Sequence, residues 1–269
     1  MSASAAGGLA GPARRSVAQQ LWGRWAFLVP FAGRVLSLQA MHPTVAAGLQ
    51  QHSTVFDQPW QRAAETVGWG LRMLFGDAAS VGRQVRERHR SIRGVDRDGR
   101  RYHAWNPEAW TWVHLSTFEA TRHAGRTLGR LTPAAERRLY GEWRAAGRLF
   151  SVRERDMPPT LAEFDEYLAD MIARRLVATD AADRLLALLR TRLPPPPWVP
   201  APAPLWAACR RPAGEVAWTL LVGSFPAVLR DRLGIRWGAR ERARHRAAMV
   251  MLRTLDASLP DRLGRIPGA

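Results

Sequence analysis

His89 lies in the stretch Val81-Gly-Arg-Gln-Val-Arg-Glu-Arg-His89-Arg-Ser-Ile-Arg93-Gly94. On a helix, Val81, Val85 and Ile92 fall on the same face as His89, because residues three, four and eight apart share one side. The spacing therefore predicts an imidazole turned towards the core. Arg93 follows one turn later, ahead of a glycine that would end the helix. A buried neutral imidazole beside a guanidinium suits a haem, since the nitrogen can ligate iron and the cation can pair with an anionic propionate. The plainer reading is a core histidine bonded to a backbone carbonyl.

Two further stretches place polar groups on apolar stripes. In Asp57 to Met73, Arg62, Thr66, Trp69 and Met73 share a face, which turns a charge and a hydroxyl inward, where polar groups need partners. Arg62 could meet a cofactor carboxylate or pair with Asp57 at the helix start. In Ala109 to Phe118, Trp110, Val113, His114 and Thr117 share a face, so that His114 could line a pocket or pack in the core. Glu119 and His123 stand four apart, but a di-iron site needs Glu-x-x-His pairs with further glutamates, which the chain does not supply. Phosphate loops, a nucleophilic Gly-x-Ser-x-Gly elbow and a His-Glu-x-x-His zinc helix are all missing from the sequence.

Helical periodicity dominates, with no convincing alternating strand and no internal repeat, so the expected class is all-α. A first helix is expected over 16–40 with a kink at Pro30, and a restart at His42-Pro43-Thr44 with proline at the first helical position. Further helices are expected over 60–75, 77–93, 107–128, 133–150, 160–176, 181–192 and 239–255, with Asp77, Asn106 and Thr132 as caps. The proline-rich run 194–204 must be extended and reads as a loop laid over one core, since the roughly three helices after it are too few to stand alone.

The 40 basic residues are all arginine, set against 23 acidic ones for a net charge of +17. They are scattered along the chain, so the charge predicts general attraction to anions and no specific nucleic-acid site. The lone Cys209 excludes an intramolecular disulfide and a thiolate metal cluster. The expectation is a cytoplasmic protein, because no apolar stretch is continuous enough for a signal peptide or a membrane span; peripheral membrane contact stays open.

Taken in order, these segments resemble the mpaB/rubber-oxygenase (latex-clearing protein) family. The resemblance rests on His42-Pro43 with His52-Ser53, on Arg62 and Thr66, and on Val85-Arg86, His89 and Ile92-Arg93. It continues through Tyr102-His103-Ala104, Trp112-Val113-His114, Leu220 to Arg232 and Leu259-Pro260. It implies a globin-like helical fold around haem b, within a domain over 14–260 flanked by a flexible N-terminus, 1–13, and a tail, 261–269. By the same resemblance His89 would ligate the iron, Arg62 and Thr66 would line the distal side, and Arg93 would support the haem region with His114 nearby. The implied chemistry is oxidation of a small apolar organic substrate with dioxygen or peroxide. Glu65 stands where the rubber oxygenases have a lysine that can approach the iron, which argues against rubber as the substrate; a carboxylate there could act as a base. A non-catalytic protein binding haem or an apolar ligand, and a basic nucleic-acid-binding protein, are the alternatives.

Overall fold

A computed structural model of the chain describes residues 15–195, 197 and 202–267. The expected flexible segment 1–13, positions 196 and 198–201 of the proline-rich loop, and the last two residues of the tail lie outside the described residues. Thirteen α-helices, one 3-10 turn (Glu154–Asp156), two π-helical turns that extend α8 and α9 (Met171–Arg175 and Leu188–Arg192) and one short hairpin make up the regular structure described, so the class is all-α. In chain order the first nine are α1 (Val17–Trp22), α2 (Trp25–Ala40), α3 (Pro43–His52), α4 (Pro59–Phe75), α5 (Ala78–His89), α6 (Pro107–Thr127), α7 (Pro133–Leu149), α8 (Leu161–Asp170) and α9 (Asp180–Ala187). Then follow α10 (Ala203–Gly223), α11 (Ala227–Arg232), α12 (Ala239–Ser258) and α13 (Asp261–Gly264). No helix among the described residues is long and apolar enough to cross a membrane.

The local chemistry that sets the helix starts is visible at the caps. Asp77, Asn106 and Thr132 each accept a backbone N–H of the first turn through their side chains, and Pro107 and Pro133 open the helices after two of them. Thr160 caps α8 in a reciprocal pair with Glu163. The first two amides of α1 donate to the Glu142 carboxylate of α7 at 2.9 and 3.0 Å, which pins the positive end of one helix to another.

The expected single helix over 16–40 is two helices. The break falls at Gly23–Arg24 and not at Pro30, which sits inside α2. Arg24 is extended because the end of the chain holds it there. Its buried guanidinium meets Asp256 and Asp261 at 3.0 Å each, and Ile266 N donates to the Gly23 carbonyl at 2.9 Å. The proline-rich loop also ends earlier than expected, since α10 begins at Ala203 with Pro204 in its first turn, where proline is tolerated.

The core has two apolar clusters. One gathers α1, α2, α6, α7 and α8 around Phe27, Phe31, Phe118 and Phe164; the other gathers α3, α9, α10 and α11 around Leu38, Trp112, Leu185 and Leu229. Helices α2 and α6 run through both and pack most extensively against each other. A buried fork joins them, with Arg34 donating to both Glu119 oxygens at 2.6 and 2.7 Å.

The stretch after α5 departs from expectation. The helix stops at His89, and the chain enters a hairpin in which β1 (Arg93–Val95) pairs antiparallel with β2 (Arg101–His103). Asp96 Oδ1 accepts from the amides of Asp98 and Arg100, and Gly99 takes φ +77°, which closes the turn. Gly94 belongs to this hairpin and does not end the helix: a Cβ there would lie 2.5 Å from Gln51 Oε1 and 3.0 Å from the Tyr102 ring. Ile92 packs over Gly48 of α3. The hairpin's docking on α3 is what ends α5 four residues earlier than its periodicity suggests.

Candidate active site

Helices α4 and α5 form an arm against the flank of α1 and α7. A Cβ at Gly70 would fall 2.2 Å from the Trp22 ring, and one at Gly82 would fall 2.4 Å from the Leu149 carbonyl, so glycine allows the close approach at each point. Helix α4 has a strongly apolar stripe, yet not one of its residues is fully buried.

His89, on the last turn of α5, faces inward and is half-buried. Its Nδ1 lies 2.7 Å from the Val85 carbonyl, and its ring meets Trp110 edge-on with centroids 5.3 Å apart. Burial pushes its pKa down and the Arg62 and Arg88 cations push the same way, against the Val85 contact, so the imidazole is neutral near pH 7. A neutral ring carries one proton, and a carbonyl can only accept. Nδ1–H therefore donates to Val85, and Nε2 is left with its lone pair exposed.

Arg62 and Thr66 come together as their spacing predicts. Arg62 Nη1 donates to Thr66 Oγ1 at 2.6 Å, and that hydroxyl donates to the Arg62 carbonyl at 2.8 Å. The alternative pairing of Arg62 with Asp57 does not form; among the described residues Arg62 meets no carboxylate at ion-pair distance. Burial lowers its pKa, which Glu65 opposes and Arg88 reinforces, and a guanidinium nonetheless stays charged. Glu65 meets Arg88 at 3.2 Å, which ties α4 to α5 beside His89.

Two expected site residues stand elsewhere. Arg93 is exposed on β1 and not one helical turn beyond His89; its carbonyl lies 3.3 Å from His52 Nε2. His114 is buried against α7, with Nε2 3.0 Å from the Trp143 carbonyl while Trp143 Nε1 donates back to the His114 carbonyl at 3.0 Å. Burial pushes its pKa down to about 4, so it is a neutral packing group whose Nε2 is taken. Its ring also touches Phe150, whose carbonyl accepts from Trp110 Nε1 at 2.9 Å. His42, from the early His-Pro element, is buried where α3 begins, 3.5 Å from Glu108 and away from the arm.

The residues fit a haem. Nε2 of His89 is a free, unprotonated ligand nitrogen, Arg62 is a half-buried cation without a carboxylate at ion-pair distance among the described residues, and the apolar stripe of α4 is only half covered by protein. Among the described residues no group of three or more His, Cys, Asp or Glu stands together as a cage for a free metal ion. One imidazole suffices for an iron that brings its own equatorial ligands. Glu119 and His123, the outside candidates for non-haem iron, are otherwise engaged: Glu119 by Arg34 and His123 by the Thr127 hydroxyl at 3.2 Å.

The chain is thus an all-helical domain with a half-buried, neutral histidine on an incompletely packed arm. The chain belongs to the family described as ER-bound oxygenase mpaB/B'/rubber oxygenase, catalytic domain, which matches residues 19–254 of its 269. Searches of curated proteins and of solved structures returned no significant match.

Sequence reasoning missed Arg88 and Arg86. Arg88 meets Glu65, and Arg86 Nη1 donates to Ser151 Oγ. Neither partner is on the same helix, so helical spacing carries no signal for them. The hairpin did have a turn signal, the Asp98-Gly99 pair between what the structure shows to be β1 and β2.

Proposed function

We propose that this oxygenase-family chain is a haem b-dependent oxygenase that acts on an apolar organic substrate with dioxygen or peroxide, with His89 as the proximal iron ligand. The observation that carries the proposal is the His89 tautomer: Nδ1–H is fixed on the Val85 carbonyl, burial holds the ring neutral, and Nε2 is free. When bound, the haem would supply the oxidative chemistry that no side chain can.

The chain's own residues do the rest. The Val85 carbonyl orients the His89 ring and raises its basicity as a ligand. Arg62, held by Thr66, keeps its remaining N–H donors free for a propionate or for an oxygen atom of the bound reactants. Glu65 holds Arg88 and so fixes the spacing of α4 and α5, and when Arg88 swings away its carboxylate can take a proton. Trp110 and the stripe of α4 exclude water. His114 acts indirectly, by packing under Phe150, and Arg93 stays at the solvent edge. The setting we propose is the cytoplasm, with the catalytic domain spanning 14–260.

The test is an absorption spectrum of the purified protein before and after dithionite, with haem quantified as its pyridine complex. The expected result is a Soret band at near one haem per chain, lost in His89→Ala. Full haem occupancy with an unchanged spectrum in that variant would overturn the ligand assignment.

A further inference from the structure

One turn before His89 on α5, Arg86 leans across to the end of α7, where Ser151 Oγ accepts from it. Beside it opens a cleft of about 390 Å³ whose walls include Trp105, Trp110 and Phe150, with Arg86, Arg153 and Asp156 among its polar groups. That volume lies in the range of small-molecule sites, about 300 to 1,000 Å³. Trp110 is shared, since the same ring that lines the cleft meets His89 at 5.3 Å.

The charges in the cleft do not cancel. Arg153 is matched by Asp156, with Nε 2.5 Å from Oδ2. Arg86 has a hydroxyl for a partner and, among the described residues, no carboxylate at ion-pair distance. An aromatic-walled cleft is thus left with one unbalanced guanidinium.

Ser151 adds an independent observation. It has φ +57°, and it is the one non-glycine residue among those described with positive φ. It occupies the left-handed position after α7: Val152 N bonds back to the Gly147 carbonyl at 2.9 Å and Ser151 N to the Arg148 carbonyl at 3.0 Å. Glycine suits that position best, because a Cβ is strained there. The strained residue is a serine, and its hydroxyl is spent on Arg86.

We propose that this cleft binds a long-chain carboxylate, with Arg86 taking the carboxylate and Trp105, Trp110 and Phe150 taking the chain. That the bound acid is the molecule to be oxidised rests on the haem-oxygenase reading; that it binds in this cleft does not.

The experiment titrates the protein with dodecanoate and, separately, with 1-dodecanol, reading the change in tryptophan fluorescence, with a Trp105→Phe variant to isolate the share of the cleft from that of the other tryptophans among the 12. Dodecanoate binds roughly ten-fold tighter than the alcohol, as a charge-assisted pair in an apolar setting should give. Arg86→Gln removes that preference without a change in melting temperature, and Asp156→Asn increases it. Equal affinity for acid and alcohol, no binding of either, or a preference that survives Arg86→Gln would overturn the proposal. The two readings fail separately. A colourless protein that still prefers dodecanoate keeps the cleft and removes the haem, whereas a pigmented protein indifferent to the charge removes the cleft alone.

Discussion

Helices α6 and α4 differ in how completely the protein packs around them. Of the 21 residues of α6, 14 are buried, and its polar groups are satisfied within the fold: Glu119 by Arg34, Thr121 by Trp22, and the Trp112 indole by the Leu38 carbonyl. Helix α4 has a sharper apolar stripe over 17 residues and buries none of them fully. A stripe of that kind ordinarily marks the face a helix turns to a core. On α4 the face is only half covered, so the protein's own packing stops short at the arm that carries His89, Arg62 and Thr66. The scaffold is completed around α2 and α6, and the proposed haem site lies where the packing is incomplete.

The sharpest way to break this contrast is at the buried fork. Glu119→Ala strands the Arg34 guanidinium in the core and should cost about 3–5 kcal/mol, read as a large loss in denaturant midpoint. Glu65→Ala cuts a partly exposed pair on the arm and should cost less than about 1 kcal/mol. Equal losses would mean that the two regions are not built differently.

Acid attacks the scaffold next. Burial holds the pKa of His114 down to about 4 and that of His123 down to about 3, below the ordinary histidine value. The unfolded chain therefore takes up protons first as pH falls. The stability these rings contribute is complete above about pH 6.5 and is lost towards pH 4, at roughly 1.4 kcal/mol per pH unit for each. Urea melts between pH 7 and 4.5 should show this slope, and His114→Asn should reduce it.

Haem should act on the other region. In hydrogen exchange, haem loading should slow the amides of α4 and α5 and leave those of α6 unchanged, because a ligand stabilises what it covers. Uniform slowing would place the ligand elsewhere. One substitution should give a small gain: Ser151→Gly relieves a left-handed side chain and should add about 1 kcal/mol in denaturant melts, while weakening the hold on Arg86.

Much of the scaffold was legible in the sequence because it is encoded locally. Caps at Asp77, Asn106 and Thr132, and the prolines after two of them, set helix starts that any folded context would respect. The inward face of His89 and the Arg62–Thr66 pair were legible for the same reason, as they depend on spacing within one helix. What escaped depends on partners distant in the chain. The Gly23–Arg24 break is held by Asp256, Asp261 and the backbone at 265–266, and no periodicity near residue 24 reports it. The end of α5 at His89 depends on a hairpin that docks on α3, which moved Arg93 off the helix face where its spacing alone would put it. His114 was balanced between pocket and core, and the Trp143 carbonyl, 29 residues away, decides its orientation.

The clasp at Arg24 also sets an order for biosynthesis. Its partners Asp256 and Asp261 lie more than 230 residues downstream, past the stretch that matches the family, and Arg265 and Ile266 follow them. A nascent chain in which residues 256–266 are still inside the ribosome holds an arginine destined for burial without the two carboxylates that neutralise it. The first two helices reach their final relation only once residues 256–266 have emerged, and a stop at codon 255 would leave the stretch that matches the family without the partners that clasp Arg24.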